Sequence, residues 1–134
     1  MALGLLCAGL MLAACGGSSS SSSGSPPGWK DLSSVRVTVA QPGLPPPFGL
    51  PKTTSFTTPG QVARVTSQLN AHHVANASST SPSSGCAGGF QIALVIVPRG
   101  SAPVKLSAYR CANHTSGDVS GDLVGFLKAI GVNA

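Results

Sequence analysis

Side chains that could support acid–base or nucleophilic chemistry are scarce in this chain. It has 134 residues, of which three are Asp or Glu and three are His. Asp118 and Asp122 lie four residues apart, a spacing that could place two carboxylates on one helix face for glycoside hydrolysis. Favourable electrostatics at a helix start explains the same pair more simply. No G-x-S-x-G motif accompanies the many serines. We therefore expect no catalytic residues, with a small hydrolase as the remote alternative.

The basic residues and the glycines do not form a recognisable binding motif either. The formal net charge is +5, but Lys and Arg are scattered, and the aromatic side chains that stack on bases are few. The glycine-rich segment 85–89 precedes a predicted strand, whereas a phosphate-binding loop would precede a helix. We expect no nucleic-acid partner and no cofactor. Simple solubility is the favoured explanation of the positive charge, and attraction to anionic headgroups or a polyanionic wall polymer is the alternative.

The N-terminal segment is an apolar run that ends in small side chains and a cysteine. It is too short to span a bilayer, which takes about 20 helical residues, and it has the length of a secretory signal. Leu12-Ala13-Ala14-Cys15 resembles the lipobox of bacterial lipoprotein precursors. The resemblance implies that residues 1–14 are a signal peptide and that the Cys15 thiol carries lipid. The mature protein would then be lipid-anchored on the extracytoplasmic face of the cell membrane. Because no basic residue precedes Lys30, we expect the natural start to lie upstream of Met1.

A spacer and one domain follow the predicted lipidation site. Residues 15–28 are rich in Ser, Gly and Pro and contain nothing that could bury apolar surface, so they should form a flexible tether. A tether of this length has a root-mean-square reach of about 20 Å, at ~5–6 Å × √n. Residues 29–134 suffice for one core, and we expect a single small domain that remains a monomer.

Two cysteines remain for the domain once the signal is removed and Cys15 is lipidated. Cys86 precedes the first strand of a predicted hairpin and Cys111 follows the second, so antiparallel pairing brings the two thiols together. An oxidising compartment then favours a disulfide between them. Closing this loop would contribute roughly 3.5 kcal/mol in the chain-entropy model.

A metal site is the alternative use of the same residues. Cys111 and His114 have a C-x-x-H spacing, and Cys86 with His72 or His73 could complete a tetrahedral zinc set. However, paired C-x-x-C motifs are absent from the sequence, and a helix C-terminus attracts imidazole without any metal. We therefore favour the disulfide and expect no metal.

The first half of the domain is predicted to contain a strand, a loop and a helix. Residues 35–39 alternate Val with Arg and Thr, as in a half-buried strand. Residues 41–51 include five prolines, which excludes a helix or an interior strand, and Thr53–Thr57 is short and β-prone. A helix should begin at Thr58–Pro59 and end near residues 72–73. Its apolar stripe consists of Val62, Val65 and Leu69.

The second half is predicted to contain a hairpin and a terminal helix. Residues 90–97 are an apolar run without strict alternation, which suits a strand covered on both faces or on one face plus an edge loop. They pair with residues 104–110 across a turn. Leu123, Phe126, Leu127 and Ile130 then form a helical stripe. The order β-loop-α-β-β-α predicts an α+β fold, with a mainly antiparallel sheet of about three strands, two helices packed on one face and one disulfide.

The leading functional hypothesis is a non-catalytic domain that binds a protein, a ligand or an envelope component. The Pro-rich loop is the first candidate surface, where Phe48 and Leu50 could fold back onto the core or stay exposed beside Pro45, Pro46 and Pro47. Residues 74–89 are the second candidate loop. Both loops could also serve only to connect neighbouring strands and helices. Stiff Pro-containing loops beside disulfides occur in protease inhibitors too, so an inhibitor-like module is the alternative.

Overall fold

A central antiparallel pair of strands organises the fold. The computed structural model describes residues 28–77 and 87–134. Within these ranges the large sheet has the spatial order β2-β1-β4-β5-β6, and β3 pairs with β7 in a second sheet; all pairings are antiparallel. In chain order the elements are β1 (Leu32–Ala40), β2 (Lys52–Phe56), α1 (Pro59–Ala71), β3 (Ala75–Asn76), β4 (Phe90–Pro98), β5 (Val104–Cys111), β6 (His114–Gly117), β7 (Val119–Ser120) and α2 (Leu123–Ala129).

Alternating side chains give the large sheet one buried face. The inward apolar residues of β1, β4 and β5 are almost completely buried, as the period of two along a strand requires. Both helices contribute to the same core, α1 through Leu69 and α2 through Phe126. The opposite face is called the open face here. Its exposed residues are Arg36, Thr53, Ser55, Gln91, Ala93, Lys105 and Ser107.

The predicted α+β fold with a three-stranded sheet is wrong. The protein is mostly antiparallel sheet, with five strands in one sheet, two in another, and two helices among the described residues. β2 is a full member of the large sheet, paired with β1. β6 and β7 consist mainly of Ser, Thr, Gly and His, so no apolar alternation marks them. Backbone pairing with β5 and β3 creates these strands, and that pairing is invisible to hydrophobic patterning.

Several local predictions are confirmed. α1 begins at Pro59 with Thr58 as its N-cap and ends before His72, β4 and β5 form a hairpin, and the apolar stripe of α2 is buried. Residues 90–97 are covered on one face only, because Gln91 and Ala93 point to the open face and are exposed. The helices pack on the other face, so even a central strand has a solvent side.

The start of the domain is held against the end of α1. The Trp29 backbone N–H donates to Asn70 Oδ1 at 2.7 Å, and Asn70 Nδ2 donates back to the Trp29 carbonyl oxygen at 3.0 Å. The Trp29 indole Nε1–H donates to the Val74 carbonyl oxygen at 2.5 Å. These three bonds determine where the predicted tether joins the domain.

The large sheet has two ends with different features. At the proximal end, Gly28–Asp31 lead into β1 and residues 99–103 turn from β4 into β5. The Arg99 backbone N–H donates to the Asp31 carbonyl oxygen there, at 2.7 Å. At the distal end, β1 leads into loop 41–51. The nine residues of β1 separate the two ends by about 27 Å, at roughly 3.3 Å per residue.

We expect Asn70→Ala to loosen the start of the domain. Two hydrogen bonds are lost, so the free energy of unfolding should fall by about 1–2 kcal/mol relative to a matched helix-surface control. Ser67→Ala on the same helix provides that control, because Ser67 is exposed and its change to Ala brings a similar gain in helix propensity. Urea denaturation measures the difference, and equal stabilities of the two variants would contradict the assignment.

Candidate functional site

Loop 41–51 presents the large exposed hydrophobic side chains among the described residues. Leu44 is 41% exposed, Phe48 75% and Leu50 58%. The prolines between them are exposed as well, and the loop contains no charged residue. Exposed apolar groups scattered singly are ordinary, but three within seven residues form a patch that usually marks a contact surface. This loop is therefore the strongest candidate site.

Hydrogen bonds hold the loop in a defined shape. The Leu44 N–H donates to the Gln41 carbonyl oxygen at 3.1 Å and the Phe48 N–H to the Pro45 carbonyl oxygen at 3.0 Å, so two successive turns form. At the base, Gln41 Nε2 donates to the Gly88 carbonyl oxygen at 3.2 Å. Any side chain at Gly49 would collide with the Leu44 carbonyl oxygen, so the chain packs tightly on itself. A loop ordered in this way loses little conformational entropy when it binds.

The candidate loop residues lie together at the surface. Pro45, Pro46, Pro47, Phe48 and Leu50 are all exposed, so Phe48 and Leu50 do not fold back onto the core. Leu44 belongs to the same patch and was not among the sequence-based candidates. Its position as a large apolar residue inside an uncharged, Pro-rich run was the available signal.

The second candidate loop, residues 74–89, is only partly a loop. Val74 and Ala75 are buried, and Ala75–Asn76 forms β3. Residues 78–86 lie outside the described residues. Val74, Ala75 and Gly89 are therefore part of the interior, whereas Asn76, Ala87 and Gly88 are exposed.

His72 and Asp122 are the closest approach to a catalytic pair. His72 Nδ1 lies 3.1 Å from Asp122 Oδ2, while Asp122 Oδ1 accepts the Gly125 backbone N–H at 2.8 Å and the Asp122 N–H donates to the His72 carbonyl oxygen at 2.9 Å. The Gly125 bond and, secondarily, the His72 contact lower the pKa of Asp122. The partner shown for the His72 ring is the Asp122 carboxylate. The pair joins the end of α1 to the start of α2.

Asp118 is not near Asp122 on a helix face, contrary to the sequence-based hypothesis. It lies between β6 and β7, where its Oδ2 accepts the Ser107 hydroxyl at 3.1 Å. Asp122 alone caps α2. The two carboxylates therefore serve different elements, and this removes the geometric basis for a carboxylate pair.

The residues of the alternative metal set are used in other ways. Among the residues that the structure describes, no three His, Cys, Asp or Glu side chains are grouped as metal ligands. His72 contacts Asp122, and His114 lies opposite Cys111 in the β5–β6 register. Cys86 lies outside the described residues, so the whole set cannot be placed.

Cys111 closes β5 at the distal end of the sheet and is disulfide-bonded. The other cysteines, Cys86 included, all lie outside the described residues. No complete cysteine pair is therefore found among residues 28–77 and 87–134, and the pairing of Cys86 with Cys111 stays a prediction. Cys15 and the lipobox fall in the same undescribed part of the chain.

A shallow cleft between α1 and the start of β1 is a weaker candidate. Its volume is about 510 Å³. Two of its hydroxyls are already engaged, because Ser33 Oγ donates to the Val97 carbonyl oxygen at 3.0 Å and Thr66 Oγ1 to the Val62 carbonyl oxygen at 2.7 Å. A small-molecule site needs several polar groups that converge on the ligand. These bonds direct both hydroxyls to the protein's own backbone, so fewer of the polar groups that line the cleft are available to a ligand.

Comparison with protein-family models, curated proteins and solved structures found no match for this chain. Within the described ranges, neither helix is both long and apolar enough to cross a membrane. The interpretation of the site therefore rests on its own geometry.

We expect Asp122→Ala to lower the free energy of unfolding by about 1 kcal/mol at neutral pH, because α2 loses its N-cap. Asp122→Asn is the matched control, since Asn also caps helices but carries no charge. The folded-state pKa of Asp122 is lowered, so the carboxylate stabilises the fold above the ordinary Asp pKa and loses this contribution as acid protonates it. Urea titrations from neutral to acid pH should show the wild type and Asp122→Asn converging below about pH 4. A gap that stays constant in acid would contradict this.

Proposed function

We propose that this protein is a lipid-anchored, extracytoplasmic lipoprotein whose non-catalytic domain binds another envelope protein through loop 41–51. The lipobox resemblance at Leu12–Cys15 supports the anchoring. The observation that carries the binding role is the shaped, uncharged loop with Leu44, Phe48 and Leu50 exposed together. Apolar side chains held in water add no buried surface to the fold, so their exposure in an ordered loop indicates a contact with another molecule.

The chemistry of the loop favours a protein partner over a polymer. Phe48 is a large, rigid aromatic group, the kind of side chain that dominates binding energy when a partner's pocket buries it. The flanking prolines and leucines add apolar contact, and no side chain within residues 41–51 is charged. An anionic wall polymer would require cations at the contact, which this loop lacks. The complementary surface is therefore an apolar groove on a protein.

The position of the loop supports the same conclusion. It lies at the distal end of the sheet, whereas the predicted tether joins the domain at Gly28 on the proximal end. The two ends are about 27 Å apart, at roughly 3.3 Å per strand residue. With lipid on Cys15, the loop is free to project away from the anchoring membrane, toward other proteins of the envelope.

An inhibitor-like module is the second candidate function. Loop 41–51 is stiff and lies at the same end of the sheet as the disulfide-bonded Cys111. However, the bonds from Phe48 to Pro45 and from Leu50 to Pro47 fold the loop into turns, whereas a substrate-like inhibitor offers an extended segment that a protease can pair with as a strand. The turns make this candidate the less favoured of the two.

We expect the mature protein to begin at a lipidated Cys15. Mass spectrometry of the membrane fraction should find an N-terminal peptide that starts at Cys15 and carries a diacylglyceryl group. The variant Cys15→Ala should lose both the cleavage after Ala14 and the lipid. A mature chain that begins elsewhere and has no lipid would contradict the anchoring.

We expect loop 41–51 to contact its partner directly in intact cells. A photo-crosslinking residue at position 48 should yield one discrete adduct, while the same residue at the exposed position 101 on the proximal turn should not. Replacing Leu44 and Leu50 by Ser should reduce the adduct at least tenfold, because buried anchor side chains commonly contribute enough for such a loss.

The thermal midpoint of the Leu44→Ser, Leu50→Ser variant should match that of the wild type, since both side chains are exposed. Identical adducts from positions 48 and 101, or an adduct that survives both substitutions, would reject the loop as the contact surface.

A further inference from the structure

The first residues of β1 have a free edge on the side where β2 lies. The pairing of β1 with β2 stops at Val35, opposite Phe56, whereas the pairing with β4 continues to Leu32. Thr57 follows β2 and leads the chain into α1. Within the described residues, no strand therefore lies beside Leu32–Ser34 on this side.

The cleft of about 510 Å³ borders this free edge. Leu32 and Ser33 line it from β1, one face of α1 lines it from the other side, and Thr57 lines it where β2 has ended. An extended segment placed between β1 and α1 would continue the line of β2. Addition of a strand to a sheet edge is a common mode of peptide recognition, in which main-chain hydrogen bonds supply the affinity.

Backbone groups are the polar groups that a ligand could use along the β1 wall. The Ser33 hydroxyl donates to the Val97 carbonyl oxygen on the β4 side, and the Thr66 hydroxyl donates to the Val62 carbonyl oxygen within α1. A strand edge, in contrast, carries N–H and C=O groups that can pair with another chain. The cleft therefore suits a ligand with a peptide backbone of its own.

The cleft also offers apolar contact. Leu32 and Val62 line it and belong to the core, and Pro59 and Ala63 of α1 are exposed beside them. Successive side chains of an extended segment point to opposite faces, so every second side chain could contact this apolar surface. A segment with at least one apolar side chain would fit best.

The charges that line the cleft balance each other. Asp31 and Arg99 are exposed and line it. No ion pair joins them in the part of the chain that the structure describes. A segment of either net charge would be attracted by one of these groups and repelled by the other. The cleft therefore favours a segment without net charge.

We infer that this cleft binds an extended, uncharged segment of a partner protein. The segment pairs with the free edge of β1 and directs an apolar side chain toward Leu32 and Val62. The site is separate from loop 41–51, which follows β1 at its far end. The inference goes beyond the proposed function, and it depends neither on the lipid anchor nor on the loop.

The chain's own tether is a poorer occupant of the cleft. It joins the domain close by, because the Trp29 backbone bonds to Asn70, which lines the cleft. However, residues 16–27 consist only of Gly, Ser and Pro. They offer no large apolar side chain, and Gly and Pro are disfavoured in strands.

The test uses the purified full chain to select peptides from a random library displayed on phage. We expect uncharged peptides that contain an apolar residue. Methylating the amide nitrogens on one side of the bound strand should weaken binding roughly two- to tenfold for each hydrogen bond lost. Methylating the alternate nitrogens should have little effect, because these point away from β1.

A matched pair of variants locates the binding site. Ala63 and Ala71 are both exposed on α1, but only Ala63 is among the residues that line the cleft. Ala63→Trp should abolish peptide binding, since the indole would occupy the cleft. Ala71→Trp should bind like the wild type, and both variants should have similar thermal midpoints because the change in helix propensity is the same.

Hydrogen exchange gives a second measurement, made on the wild type. The bound peptide should slow the exchange of those Leu32–Ser34 amides that point away from β4. Failure to select any peptide, equal binding by Ala63→Trp and the wild type, equal effects of the two methylation patterns, or unchanged exchange would each overturn the inference.

Other occupants give different results. Peptides selected only after removal of residues 16–27 would assign the cleft to the tether, and self-association lost in Ala63→Trp would assign it to a second copy of the chain. Either result would overturn the inference. Lipidation of Cys15 and cross-linking at position 48 are measured separately, so failure of the proposed function remains distinguishable.

Discussion

The structure depends on the burial of one face of β1 and β4 beneath the two helices. The valines of β1 and the isoleucines and leucine of β4 are buried, most of them completely, and Leu69 of α1 and Phe126 of α2 close over them. Burying such side chains contributes roughly 1.5–3 kcal/mol each before the cost of ordering the chain. A slip of one residue in the register would turn these side chains to water, so the pairing is strongly specified. The positions of the loops and of the exposed residues on the open face follow from this pairing of β1 with β4.

Two functional features follow from that constraint. Because β1 cannot slip, loop 41–51 is fixed at its distal end and the Trp29–Asn70 contact at its proximal end. Because the helices occupy one face, the opposite face keeps its cations in solvent. The apolar loop thus lies at one end of the sheet, while Arg36 and Lys105 stand on the open face.

Local patterns predicted the structure well where side-chain chemistry is periodic. The β1 alternation, the α1 start at Thr58–Pro59, the β4–β5 hairpin and the α2 stripe are all confirmed. Patterning failed for β6 and β7, whose Ser, Thr and Gly residues carry no apolar alternation, and consequently the fold class was wrong. Strands of this kind exist because a neighbouring edge offers backbone hydrogen bonds. Which strand edge lies beside such a segment is decided by the tertiary structure and cannot be read from the sequence pattern.

For the candidate sites too, some properties were set by the sequence and others by the tertiary structure. The sequence by itself determined that residues 41–51 form a Pro-rich, uncharged loop, and that the chain has three carboxylate side chains. Only the tertiary structure decided that Phe48 and Leu50 stay in solvent and that Asp122 caps α2 beside His72. It also placed Arg36 and Lys105, which are far apart in the sequence, in one row across the open face. Exposure and proximity depend on strand order and register, which are long-range properties, whereas composition and periodicity are local ones.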